Sequence, residues 1–168
     1  MASTRNRIDA TDRAILSCLQ EDAAMPLAQI ASRVGLSSTP CWRRVQKLEE
    51  AGVIRKRVAL LDGAQLNVGV TVFVSVKTSE HNSEWLDSFA AAVAEFPEVV
   101  EFYRMSGDID YLLRVVVPDI AAYDGFYKRL IEKVRLADVS SSFAMEQIKF
   151  ATQLPLDYMK LEPARNGE

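Results

Sequence analysis

Histidine and cysteine are nearly missing from this chain: His81 stands alone, and Cys18 and Cys41 are the only thiols in 168 residues. Two cysteines cannot build a disulfide framework, and neither has metal-ligand spacing. Each sits within a helical apolar pattern, which reads as a small buried hydrophobe. His81 falls in the polar stretch SEHNSE, a surface loop. CxxC, HExxH, GxSxG and glycine-rich phosphate loops are all missing, so neither a catalytic residue nor a metal or cofactor site is expected. No apolar run reaches the length of a membrane span, and the opening MASTRNRIDATD has no signal-peptide core. These absences point to a cytoplasmic protein with no membrane partner that is not an enzyme.

What is present is ordinary in amount and uneven in placement. Hydrophobic residues make up 49% and charged residues 26%, the balance of a globular protein. Residues 1–60 hold ten Lys/Arg against six Asp/Glu, a net of +4, whereas 61–168 hold ten against seventeen, a net of −7. A basic front on an acidic body suits a nucleic-acid surface in front and a different role behind.

Helical periodicity predicts a first helix over 9–21, capped by Asp9 or Thr11, a second over 27–34, and a third from near Ser37–Pro40 to Glu50. Gly35-Leu36-Ser37 breaks the second, and Ala51-Gly52 stops the third. The basic triplet Arg55-Lys56-Arg57 and VALLD then read as a β-wing or linker strand. Beyond Gly69, strands are expected at 69–78, 98–105, 110–117 and 139–151, with helices at 83–95 and 119–134. That order is βαββαβ, the ferredoxin-like arrangement. The expected fold class is therefore α+β, an N-terminal (winged) helix-turn-helix domain followed by a βαββαβ domain. Its boundaries are 1–60, a linker 61–68, the second domain 69–156, and a tail 157–168.

The segment from Leu27 to Gln46 has what a helix-turn-helix requires. Ala31 lets two helices cross closely, and Gly35 supplies a turn residue with positive φ. Ser37, Ser38 and Thr39 place hydroxyls and backbone N–H groups where phosphates can meet them. Arg43, Arg44 and Lys47 follow one turn later, on the side left exposed by Val45 and Leu48. An arginine there can bond guanine O6 and N7 bidentately, while Arg55, Lys56 and Arg57 would contact the flanking backbone. The expected partner is double-stranded DNA.

Four motifs, in order and at the right spacing, resemble the Lrp/AsnC (feast/famine) family of transcription regulators over about 8–156. They are IDATDRAIL, RVGLSSTPCWRRVQKLEEAGVI, SGDIDYLLRV and IKFATQLPL. The resemblance implies a second domain that dimerises through its sheet and assembles into tetramers or octamers. It also implies an effector, an amino acid, bound near the Gly-Asp-x-Asp-Tyr turn. Carried over, the effector residues are Ser106, Gly107, Asp108, Asp110 and Tyr111, with Ser141 on the last strand and Thr152 in the closing motif. The triple serine 140–142 departs from the family's bulkier run there. A nucleoid-associated location follows from the same resemblance.

On chemistry alone the turn admits more than one job. Gly107 between aspartates is a hairpin signal first, and Tyr111 alternates into the sheet, where packing is its natural role. Asp110 opens a strand and must find a partner or face water. An amino acid's ammonium would serve, and so would an arginine of a neighbouring subunit. Two alternatives to a sensing regulator stand: an architectural DNA-binding protein without an effector, and an enzyme on the ferredoxin-like domain, for which no convergent nucleophile and base are seen.

Overall fold

The computed structural model describes residues 8–80 and 82–161. The loop expected at His81 and the tail beyond 161 lie outside the described residues. The chain divides into two compact units: residues through Ala59 joined by those from Lys149 onward, and Leu60–Ile148 between them. None of the described helices is long and apolar enough to cross a membrane.

The first unit packs three helices, α1 (Ala10–Glu21), α2 (Leu27–Arg33) and α3 (Ser38–Glu50). Helix α1 starts where Asp9 makes a reciprocal capping box with Asp12: the Asp12 N–H donates to Asp9 Oδ1 and the Asp9 N–H to Asp12 Oδ2. Helix α2 ends on Gly35, whose φ of 70° is the left-handed conformation that glycine adopts cheaply. The Leu36 N–H then returns to the Ala31 carbonyl and the Gly35 N–H to that of Ser32, closing the turn between the helices. Ile15, Ile30, Ala31, Cys41, Val45 and Leu48 are buried together between the three helices. The burial of both Cys18 and Cys41 matches their reading as small core hydrophobes.

The second unit is one antiparallel sheet with two helices on one face. Strands β1 (Val70–Lys77), β2 (Val99–Arg104), β3 (Tyr111–Val117) and β4 (Asp138–Phe143) lie in the order β2-β3-β1-β4. Helices α4 (Ser83–Ala94) and α5 (Ile120–Lys133) complete the βαββαβ order. Alternation decides the faces: Val72, Val74, Val76, Leu113, Val115 and Val117 meet Phe89, Phe126 and Leu130 from the helices. The opposite face carries Phe73, Ser75, Leu112, Arg114 and Val116, and no element of the unit's described residues covers it.

Two expected elements differ. The wing or linker strand after Glu50 does not form: no strand occurs among residues 51–69, and Val58, Leu60 and Leu61 are exposed. An extended run becomes a strand only when a neighbour accepts its hydrogen bonds, and this run has none. The last strand, expected over 139–151, stops at Phe143. It pairs only with β1, whose register reaches Val72 opposite Phe143; the Ala144 N–H still donates to the Thr71 carbonyl, and the chain then leaves the edge of the sheet.

The closing segment, from Lys149 onward, groups with the three helices by its contacts. Gln20 of α1 holds it, donating through Nε2 to the Leu154 carbonyl and accepting the Leu154 N–H at 2.7 Å. Leu156 and Met159 then pack on the three-helix core.

Candidate functional site

The exposed side of α3 follows from its buried side. Cys41, Val45 and Leu48 point inward, so Ser38, Thr39, Trp42, Arg43 and Lys47 face out. Ser37 caps the helix from extended backbone, and its side chain makes no cap hydrogen bond. The structure thus brings eight of the nine expected contacts to open surface: Ser37 at the cap, Ser38, Thr39, Arg43 and Lys47 on the helix, and Arg55, Lys56 and Arg57 beyond it.

Two of the expected cations are ion-paired within the unit. Arg44, expected at the groove, donates through Nη1 to Asp9 Oδ2 at 2.8 Å and to Asp12 Oδ1 at 2.7 Å. It thereby ties α3 to the capping box of α1. The geometry follows from helical pitch, since residue 44 trails the outward Arg43 by about 100° and turns toward α1. Burial works to raise the Asp9 carboxyl pKa, but bonds from the Asp12 N–H and from Arg44 outweigh it and hold the group below its usual range. Burial works to lower the Arg44 pKa, but its side-chain bonds to Asp12 and Asp9 outweigh it and raise the pKa. Arg57 in turn donates to Glu49 Oε1 at 2.8 Å, at the end of α3.

In the second unit the turn between β2 and β3 is built as the motif suggests. Gly107 has φ 124°, open to glycine and rare for other residues. Ser106, Gly107 and Asp108 are exposed, and Asp110 is half-buried. Asp110 Oδ2 accepts the Thr78 N–H at 2.8 Å, fixing the turn against the end of β1. Tyr111 is 6% exposed and stacks among Trp85, Phe89 and Phe102, a core role. Beside the turn lies a cleft of about 210 Å³, lined by Asn82, Ser83, Leu86, Arg104, Met105, Asp110 and Tyr111.

Sequence reading missed Arg104, Asn82 and Ser83. The signal for Arg104 was available, because a hairpin that closes at Gly107 pairs it with Tyr111. Asn82 and Ser83 come from the start of α4, distant in sequence and unmarked by any motif. The remaining expected effector residues stand apart from the turn. Ser141 pairs with Val74 from the edge strand β4, and its hydroxyl hydrogen-bonds the Tyr123 hydroxyl. Thr152 is exposed in the closing segment, within the first unit.

Comparison with known proteins follows the same division. Residues 8–55 match the winged helix-turn-helix DNA-binding family, and residues 71–154 match the Lrp/AsnC ligand binding domain. The glutamate uptake regulatory protein of Zymomonas mobilis is 49% identical over 89% of this chain and 92% of its own length. The DNA-binding transcriptional activator DecR of Escherichia coli is 49% identical over 89% of this chain and 99% of its own. Among solved structures, an AsnC family transcriptional regulator from Agrobacterium tumefaciens is 67% identical, with a TM-score of 0.88 over 91% of this chain and all of its own. A transcriptional regulator from Neisseria meningitidis, solved as a complex with L-Met, is 36% identical, with a TM-score of 0.84 over 89% of this chain and 97% of its own. With both matched segments in order and the relatives covered nearly end to end, this chain belongs to the Lrp/AsnC family of DNA-binding transcription regulators.

Proposed function

We propose that the protein reads an operator through α3 and adjusts its grip when a free amino acid enters the cleft beside Ser106–Tyr111. The cleft carries this reading, because it sets the opposite charges of Arg104 and Asp110 on one small concavity beside the start of α4. A zwitterion needs both: Arg104 suits the carboxylate, aided by the positive end of α4, and Asp110 suits the ammonium. The complex of the Neisseria relative with L-Met supports an amino acid as the ligand class.

On DNA, Arg43 and Lys47 enter the major groove, Ser38 and Thr39 meet phosphates at the start of α3, and Arg55 and Lys56 contact the flanking backbone. One such module offers little contact, so two must act together, one DNA turn apart. The uncovered sheet face supplies the means of pairing. Phe73 is 38% and Tyr103 50% exposed there, next to Leu112 and Val116, with the Arg114–Glu101 ion pair at 2.7 Å among them. A second copy covering this face removes apolar surface from water and makes a homodimer, from which tetramers or octamers are built. The protein then works on DNA in the cytoplasm, associated with the nucleoid.

Calorimetry of the full chain against the twenty amino acids, with and without operator, tests the sensing half. One amino acid should bind, and Asp110→Asn should abolish its heat while light scattering still shows the same oligomer. Loss of the oligomer in ligand-free Asp110→Asn would instead make Asp110 an assembly residue. Silence from all twenty amino acids would favour an architectural DNA-binding protein.

A further inference from the structure

Trp42 stands in the middle of the outward face of α3 and is 52% exposed. It has Ser38 and Thr39 one turn before it, Arg43 beside it and Gln46 one turn after, at the i, i+4 spacing of one helix face. Every aromatic pair among the described residues lies in the other unit, so the indole has no ring partner. An exposed large apolar side chain amid cations and hydroxyls fits a duplex better than an apolar protein partner. Its neighbours Arg43 and Lys47 are exposed, and the front sixty residues carry a net +4.

The chemistry of the indole narrows what it can read. Tryptophan offers an apolar ring and one N–H donor, and it accepts nothing. Thymine presents a C5-methyl group and the O4 acceptor in the major groove, which match both features. Cytosine presents an N4 donor that the indole cannot accept. Guanine offers acceptors with no apolar group, and adenine pairs its acceptor with a donor. We infer that Trp42 is a specificity residue that reads one thymine of each half-site through its C5-methyl group. This rests on the reading of α3 as the recognition helix.

The test uses the full chain and the duplex it retains from a random pool, with each thymine replaced in turn by uracil, which removes only the methyl. At one thymine per half-site, wild-type affinity should fall about fourfold, the equivalent of one buried methyl group. Trp42→Ala should bind the thymine and uracil duplexes equally at that site, with an unchanged salt dependence because no charge is lost. Its thermal unfolding should stay close to wild type, since half of the side chain is already open to water. Trp42→Leu, which keeps an apolar contact, should retain part of the uracil effect and serves if the alanine variant folds poorly. Uracil tolerated at every position, or an undiminished uracil effect in Trp42→Ala, overturns the inference. Arg43→Ala keeps the two failures apart: if it weakens binding while uracil does nothing, only the role of Trp42 falls. If Arg43→Ala and Lys47→Ala both bind as wild type, the recognition-helix reading falls with it.

Discussion

Adjacent arginines on α3 should fail in opposite ways. Arg43 is exposed and makes no ion pair among the described residues, whereas Arg44 bridges Asp9 and Asp12 through one nitrogen, with a third of its side chain open to water. Arg44→Ala removes two charge-assisted hydrogen bonds and leaves two carboxylates of like charge side by side, Asp12 being 8% exposed. Hydrogen bonds to charged groups contribute roughly 1.5–3 kcal/mol, and the partial exposure of Arg44 reduces this, so a loss of about 1–2 kcal/mol is expected. For a unit of this size that lowers Tm by roughly 5–15 °C. Arg43→Ala should leave Tm within about 2 °C of wild type, and cost about 1–3 kcal/mol of discrimination at one base pair. The assay is thermal unfolding by circular dichroism beside gel-shift titration at fixed salt. Arg44→Lys should recover part of the stability, and Asp12→Asn with Arg44→Ala should lose less than the two separately. An unchanged Tm for Arg44→Ala, with affinity reduced as far as in Arg43→Ala, would refute this division of labour.

The same contacts set how the protein meets acid. Asp9 and Glu101 both hold their protons less tightly than usual, Asp9 through its bonds outweighing burial and Glu101 chiefly through Arg114. A depressed carboxylate contributes stability that is complete above its ordinary pKa and is lost as pH falls through the lowered one. Urea unfolding at pH 7 and pH 3 should therefore show wild type losing more stability than Asp9→Asn does over the same interval. In the second unit, Phe126 is fully buried against Phe96 and Tyr123, and Phe126→Ala should cost about 3–5 kcal/mol. A smaller change in the urea midpoint would show that the core relaxes around the gap. Removing the surface pair of Lys128 and Asp124 should alter stability by less than about 1 kcal/mol in the same titration.

Much of this fold could be read in the sequence because local rules and global packing agree. Asp9, Gly35 and Gly52 mark helix ends by their own chemistry, and the alternating valines 70–76 announce a strand with one buried face. The errors fall where a segment depends on a neighbour that the sequence cannot show. VALLD has strand composition yet no strand beside it, and β4 ends where the chain leaves the edge of the sheet. The hold of Gln20 on the closing segment, which the ligand-binding-domain match includes to residue 154, is likewise a contact that no local pattern shows. The site divides likewise. The outward placement of Arg43 and Lys47 follows from helical periodicity, whereas the ion pairs of Arg44 depend on which way α1 presents Asp9 and Asp12. The turn at Gly107 was legible, and the residues across its cleft from the start of α4 were not.

The most direct test of the account is the affinity of the full chain for its selected duplex and for a scrambled one, at one salt concentration, with and without the amino acid that binds. A preference of on the order of 10³-fold or more for the selected duplex is predicted. The amino acid should shift that affinity by about 5–150-fold, and the shift should vanish in Asp110→Asn. Equal binding to both duplexes, unmoved by any amino acid, would contradict it.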